Sequence, residues 1–504
     1  MLLMGLLCCA LTSCEKENHL FNEDQDGLIS SQQRYITLTL SDVINYYSLS
    51  SPMAKIEYLN FQNEILEFAN YKKGLLPAIS FNVNPVNFNR SLRLLQSPVD
   101  GSYSYVKDFS NTSSAGFAIS QKIGLTGGNI NIGTDLSFLN EFSTNRKSFS
   151  TTPFYVNYSQ NLWGGRKLYL LEKSIMNVKN TVSVKKYCSK LAEIQSKAVE
   201  LYLFALSEKL SADLSEQNMA INDTLLNIGR IKLANGHITK YDYKQIELQS
   251  LDTKYAYRKA LKKYDEALCE LLSYLAIDTD SLSISVPRLD LPMFLDASTV
   301  EYFVNRNNPS LLEQQSKKLE AEQKLLTAKM ETRFNGNISL NYGLNQYAES
   351  FTAAYLNANK RQSISIGFQI PIWQWGINRN KRKIADNNYE SSLIAVENSR
   401  REFRDDIKEY INSYNHSVCL WELSEASYHL TCEQYAVAVK GFALGELSVY
   451  DLTSARQKQN ETMRQYYSAM KDTYVSYFCL RNMALYDFKS EQDLEDIYLK
   501  NNRK

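Results

Sequence analysis

Residues able to do covalent or metal chemistry are few in this chain, and their spacing does not suit it. The four histidines, His19, His237, His416 and His429, form no pair at metal-ligand spacing. Cys188, Cys269, Cys419, Cys432 and Cys479 share no ligand-like spacing and lie in helical pattern, where they read as small core residues. No Ser-His-Asp constellation, nucleophile elbow, zinc signature or phosphate loop occurs. The expectation is therefore no enzyme, no cofactor and no metal. What remains is the chemistry of hydrogen bonds and apolar contact, and one stretch concentrates it. Gly236-His-Ile-Thr-Lys-Tyr-Asp242 returns as Gly445-Glu-Leu-Ser-Val-Tyr-Asp451, at an offset of 209. Gly236 and Gly445 supply the left-handed residue that ends a helix cheaply. Thr239 and Ser448 cap the next helix, with Asp242 and Asp451 at the capping-box position facing its positive end. A turn needs a glycine and a cap but not Ile238 or Leu447. These two are read as exposed apolar groups suited to docking, or to packing of like tips against each other.

The elements that carry these two tips are long. No Gly occurs from 166 to 228, and none from 377 to 440. Apolar residues in the first of these runs recur at three and four, as in Val178, Val182, Tyr187, Leu191, Ile194 and Ala198, which gives one stripe along a helix. At 1.5 Å per residue such a helix is roughly 95 Å long. Each tip is thus the turn of a long helical hairpin, with returning helices from about 239 to 275 and from the second tip to about 486. The offset also pairs Ala234 with Ala443, Tyr257 with Tyr466, Ala260 with Ala469 and Leu271 with Leu480.

Ahead of each hairpin the period changes from helical to two. Ile79, Phe81 and Val83 alternate with polar residues, as do Phe117 and Ile119, Ile130 and Ile132, Leu136 and Phe138, and Phe154, Val156 and Tyr158. In the second half Ile338, Leu340, Tyr342 and Leu344 do the same, followed by Ile364, Ile366, Phe368 and Ile370. Ser51-Pro52 and Asn308-Pro309 open the helices that precede the strands, and Gly74 and Pro77 stop the first. Trp163, Trp373 and Trp375 stand where strand gives way to long helix. They read as an interfacial aromatic belt, against the simpler reading of core packing. The chain is therefore two copies of one plan, over 37–286 and 287–486, with a polar tail, 487–504, expected to be loosely attached. Neither copy has strands enough to close a sheet, and the helices are too long for a globular core. Both problems are solved by several copies around one axis, strands closing a barrel and helices a tube.

The chain has 56 Lys and Arg against 55 Asp and Glu, a net charge of +1, so no basic field is available for nucleic acid. No internal apolar run is long enough for a transmembrane helix. Residues 1–14, apolar and ending Leu11-Thr12-Ser13-Cys14, resemble a bacterial lipoprotein signal, whose Cys becomes the lipidated first residue. That resemblance implies lipidation at Cys14, a polar tether over 15–36 and an acyl anchor in a bilayer.

The two tips, the strand-to-helix Pro371…Trp375-Gly376, Asn308-Pro309 and Leu76-Pro77, in this order and at one offset, resemble the TolC-type outer-membrane channel family from about 37 to 486. The resemblance implies a mostly helical fold with a β part. A homotrimer gives four strands per chain to a twelve-stranded β-barrel in the outer membrane, continued by a coiled-coil α-helical barrel in the periplasm. It implies a passive exit duct of a tripartite efflux system, with a periplasmic adaptor docked on the tips, an inner-membrane RND or ABC transporter as the driver and outer-membrane lipids around the barrel. A type I protein secretion duct is the alternative within the family, and a soluble coiled-coil scaffold is the rival of another class. The resemblance assigns adaptor and iris contact to Gly236, Ile238, Thr239, Asp242, Gly445, Leu447, Ser448 and Asp451. Where some members carry a second acid, this chain has Ser454, so it lacks that anionic ring. The strand pair around 115–138 is extra to the family plan, and the second repeat has Gly336-Asn337 where the first has a proline before its strand.

Overall fold

The computed structural model describes residues 36–96, 101–142, 144–278, 282–286, 291 and 294–501. The signal expected over 1–14, with Cys14, and nearly all of the expected tether lie outside them. The described part begins with β1 (Ile36–Leu38) and short helical turns, then enters α1 (Pro52–Lys73). Helix α1 starts where the sequence calls for it. Ser51 accepts from the Ala54 N–H, Pro52 fills the first helical position, and Gly74 ends the helix. Strands β2 (Ala78–Asn84), β3 (Phe88–Gln96), β4 (Tyr103–Ile123), β5 (Gly128–Glu141) and β6 (Arg146–Asn161) follow. Then come α2 (Gly165–Ala234) and α3 (Lys240–Leu275), the short β7 (Leu282–Ile284), α4 (Ala297–Asn307) and α5 (Pro309–Thr332). The plan then repeats with β8 (Asn335–Ala348), β9 (Asn359–Gln369), α6 (Ile377–Leu444) and α7 (Val449–Ala484). The chain closes with β10 (Tyr486–Asp487), β11 (Gln492–Asp493) and α8 (Leu494–Asn501).

The two long helices hold 70 and 68 residues, about 100 Å each at 1.5 Å per residue. The internal repeat is carried in structural detail. Both returning helices span 36 residues and end on a left-handed non-glycine residue, Ala276 at φ 53° and Leu485 at φ 45°. The Tyr257 hydroxyl reaches Glu216 at 3.5 Å, and Tyr466 reaches Glu425 at 3.4 Å, the same pair 209 residues on.

One antiparallel sheet carries most of the strand, in the order β2-β4-β5-β6-β8-β9, with β3 paired to β4 beyond the end of β2. The resemblance implies four strands per chain. Among the described residues the sheet has seven, in six lanes, because β2 and β3 share one side of β4 and the pair expected around 115–138 lies inside the sheet. Strand β3 and the first half of β4 carry no clean alternation of period two, so the sequence pattern does not mark them as strands.

The helical half is held by a large apolar cluster midway along the hairpins. It is built from Ala198–Leu206 of α2, Leu271 of α3, Ile411 and Tyr414 of α6 and Tyr477 of α7. Here the parallel pair β1–β7 binds the start of the chain to the break between the repeats. The Tyr202 hydroxyl reaches both segments, at 3.1 Å from the Leu38 carbonyl and 2.5 Å from that of Ser285. The residues past 486 correct the expectation of a loose tail. Leu494 and Tyr498 are buried against Tyr187, Cys188 and Leu191 of α2. Their polar neighbours form a closed knot. Arg481 donates to Gln195 at 2.8 Å and lies 3.5 Å from Asp487, while Tyr477 donates to Asp487 at 2.6 Å. Burial works against the Asp487 carboxylate, but the Arg481 guanidinium and the hydrogen bonds from Tyr477 and the Lys489 N–H hold its pKa below the ordinary value. A tail rich in charge reads as solvated; two apolar residues one helical turn apart, Leu494 and Tyr498, were the signal that it docks.

Candidate functional site

The candidate site has three levels along the molecule: a sheet face, a ring of strand-to-helix junctions, and the two tips. Across the sheet the register puts one kind of residue on each face. Ile79, Ile119, Ile132, Val156 and Tyr342 stand in one row across five neighbouring strands, and Phe81 stacks on Phe117 at 4.4 Å. The adjacent row, pointing the other way, reads Ala78, Ser120, Asn131, Asn157, Asn341 and Ser363. The apolar face is open to its surroundings, with Ile79 74% and Ile364 76% exposed. An apolar sheet face of this extent is a liability in water and an asset in a bilayer. The outer edges of β2 and β9 carry no ladder among the described residues, so the sheet is an open wall whose two edges face outward.

At the junctions the backbone turns sharply. Gly164 (φ 77°) and Gly376 (φ 80°) are the N-caps of α2 and α6, both in the left-handed region. Trp375, next to the second, is itself at φ 51°, which costs a side-chain-bearing residue about 1 kcal/mol. The tryptophans divide. Trp163 packs edge-on to Phe334 at 4.5 Å and lies over Gly336, where an added Cβ would meet its ring at 2.4 Å. Gly336, the second residue of β8, is thus the seat for that ring. Trp373 and Trp375 are 74% and 84% exposed and touch mainly each other, at 5.7 Å.

At the tips the expected caps are present in full. Gly236 sits at φ 72° and Gly445 at φ 89°. The Asp242 N–H donates to the Thr239 hydroxyl at 3.1 Å, and Asp242 accepts from the Thr239 N–H at 3.1 Å. Asp451 and Ser448 repeat the box at 3.2 and 3.1 Å. The Ser448 hydroxyl and N–H hold the Asp451 pKa below the ordinary value. The two tips of one chain also hold each other. The Lys232 ammonium donates to the Phe442 carbonyl at 2.6 Å and lies 4.8 Å from its ring. Gln249 donates to Thr453 at 2.6 Å, and Leu225, Ile246, Tyr435, Phe442, Val449 and Leu452 form an apolar cluster shared by four helices.

Of the apolar pair expected to be exposed, Ile238 is drawn partly into the fold, while Leu447 stays exposed at the margin and also covers a glycine. Ile238 is half-buried against the tip cluster and lies above Gly229. Leu447 is only 36% exposed and lies over Gly441, where an added Cβ would meet it at 2.8 Å. Apolar contact across the helix end accompanies such C-caps, which accounts for their presence in the motif. Within the repeated motif the most exposed large hydrophobic side chains are Tyr241, 77% exposed, and Tyr450, 75% exposed. They are equivalent positions of the two repeats. The sequence carried the signal, since the Tyr is common to both motif copies, but a Tyr beside a capping Asp reads as a first-turn filler.

No helix of the described residues is long and apolar enough to cross a membrane, and no group of three or more potential metal ligands occurs among them. No family model and no curated protein sequence matches the chain. Solved structures do. The chain is similar to the Campylobacter jejuni CmeC outer membrane channel, with 14% identity, 92% of this chain and 89% of that one covered, and a TM-score of 0.62. The outer membrane protein VceC from Vibrio cholerae gives 9% identity, 88% and 95% coverage and a TM-score of 0.59. The open state of the Neisseria gonorrhoeae MtrE outer membrane channel gives 13%, 92% and 94%, and 0.56. The chain has the fold of these channels from its strands to its tips, a mostly helical molecule with one open sheet.

Proposed function

We propose that the chain is the outer-membrane subunit of a tripartite efflux system, a passive exit duct that carries no catalytic group. Three copies close the open sheets into one barrel and the helical hairpins into one periplasmic tunnel. The observation that carries this reading is the sheet: an apolar face and a polar face in register across neighbouring strands, with both edges unpaired and each repeat leading into hairpins about 100 Å long. A soluble scaffold, the rival of another class, has no use for that apolar face. Edge-to-edge closure removes the liability of β2 and β9, puts the apolar residues against lipid and lines the lumen with Ser, Asn and Gly. Trp373 and Trp375 then stand at the inner edge of the membrane band, where amphipathic rings settle.

The tips are the gate and the docking end. Within one chain they are joined by Lys232, Gln249 and the shared apolar cluster, and opening separates them. An adaptor that favours the open state must bind it better than the closed one. Tyr241 and Tyr450, with the capped turns from Gly236 to Asp242 and from Gly445 to Asp451, are the surface offered to it, and exposed aromatic residues are the common anchors of such contacts. Lipidation of Cys14 would add an acyl anchor. The experiment is fractionation followed by electrophoresis with and without boiling. A heat-modifiable trimer in the outer-membrane fraction supports the reading; a soluble species of single-chain mass refutes it. Crosslinking neighbouring tips through introduced cysteines abolishes export if the tips are the gate.

A further inference from the structure

We propose that the β4–β5 hairpin is part of the barrel wall, so that three copies of this chain close a barrel of eighteen strands on a tunnel of six long helical hairpins. The inference rests on the trimeric channel reading and adds to it the width of the exit.

The register carries it. Strand β4 pairs with β2 on one side and with β5 on the other, over Ser110–Ile123 against Gly128–Glu141, and β5 pairs in turn with β6. A four-stranded contribution would need β2 against β6. The edge of β6 that β2 would need is occupied by β5, so the hairpin cannot be lifted out without breaking the sheet. The faces agree. The apolar row from Ile79 reaches Val156 only through Ile119 and Ile132, and the polar row from Ala78 reaches Asn157 only through Ser120 and Asn131. A hairpin lying on the outside of a wall would have no reason to continue both rows in phase. On the polar face, a Cβ at Gly116 would meet Asp135 Oδ1 at 2.0 Å, so the carboxylate lies flat across the neighbouring strand.

At the helical end the inserted strands stop. The turn over 124–127 leads to no helix and rests on the start of α2. A Cβ at Gly127 would meet the Gly165 backbone at 2.5 Å, Thr126 receives the Tyr158 hydroxyl at 2.9 Å, and Lys122 pairs with Glu172 at 3.0 Å. Six lanes per chain therefore stand on two long helical hairpins, α2–α3 and α6–α7, each preceded by a shorter helix, α1 or α5. Barrel diameter grows roughly linearly with strand number, so eighteen strands make a barrel about 1.5-fold wider than twelve and place it in the range that leaves an open aqueous channel. Size selection then falls to the tips, and the membrane section passes solutes bulkier than a twelve-stranded exit admits.

The test is electron cryo-microscopy of the full-length protein in lipid nanodiscs, counting strands in the membrane section. Eighteen strands and a diameter about 1.5-fold that of a twelve-stranded barrel are expected. Twelve strands with 103–141 folded outside the ring overturn the inference and leave the channel reading standing. A chain that forms no ring overturns both. A variant that joins Asn87 to Lys147 through a two-residue turn removes β3, β4 and β5 and brings β2 to β6. It is expected to give a twelve-stranded ring of the smaller diameter, and an unchanged diameter would contradict the inference. The full-length image decides by itself if that variant does not fold.

Discussion

Replacing Lys232 by Met tests the gate at one atom. The Lys232 ammonium donates to the Phe442 carbonyl at 2.6 Å and lies 4.8 Å from the Phe442 ring. That carbonyl belongs to the last turn of α6, where it also accepts from the Gly445 N–H at 3.1 Å and where the negative end of the dipole favours a cation. The contact joins the tip of the first hairpin to that of the second. The other joints are Gln249 with Thr453 and the apolar cluster around Phe442. A partly exposed, charge-assisted bond of this kind contributes about 1 kcal/mol. Met keeps the apolar stem, so the cost falls on the bond and not on packing. One kilocalorie shifts a closed-to-open ratio about 5-fold per chain, and three chains opening together shift it on the order of 100-fold. The assay is open probability in planar bilayers, with uptake of a large hydrophilic antibiotic by cells as a second readout. Met is expected to raise both, and Arg, which keeps the charge and the donor, to leave them near the parent level. Equal open probability in the parent and the Met variant would refute the role of this contact, as would an Arg variant that opens as much as Met.

Further outcomes follow from other contacts. Tyr241→Ala and Tyr450→Ala leave trimer assembly intact and weaken adaptor binding by roughly 2 kcal/mol each, near 30-fold, measured by titrating the purified adaptor. Gly336→Ala drives a Cβ into the Trp163 ring at 2.4 Å, costs about 1–3 kcal/mol and lowers the temperature at which the trimer dissociates on electrophoresis. Thr239→Ala and Ser448→Ala each cost about 1 kcal/mol through loss of the cap, read as a lower midpoint in thermal unfolding by circular dichroism. Asp487 has a folded pKa below its unfolded one. Its contribution is full above the ordinary carboxylate range and is lost as pH falls through the depressed folded value. Asp487→Asn therefore loses stability at neutral pH, about 2 kcal/mol because Arg481 loses its counter-charge but keeps its bond to Gln195, and flattens the acid limb of a stability-versus-pH curve.

Much of this was legible because the determinants are local. The helix stops, the caps and the glycine-free runs are properties of a few neighbouring residues, and so is the two-residue alternation of Ile338 to Leu344. The helical pattern placed the ends of the returning helices to within about two residues. What was not legible depends on partners far away in sequence. The lane of β4 between β2 and β5 depends on register, which alternation alone leaves open. Strand β3 reads Phe-Asn-Arg-Ser-Leu-Arg-Leu-Leu-Gln from Phe88 to Gln96, and its mixed pattern hides a strand that projects past the end of β2. The docking of Leu494 and Tyr498 needs the groove made by α2, and the use of Ile238 and Leu447 inside the tips needs the empty space above Gly229 and Gly441. Exposure at a turn is inferred from position, but it is decided by whether a glycine in the preceding helix has left room.

The most direct test of a chain that is incomplete until copies of itself surround a common opening is native mass spectrometry of the detergent-extracted protein, paired with negative-stain images of the same sample. Closure of the β2 and β9 edges between copies predicts three times the single-chain mass and end-on views with a central hole. A single-chain mass with compact particles and no hole would contradict it.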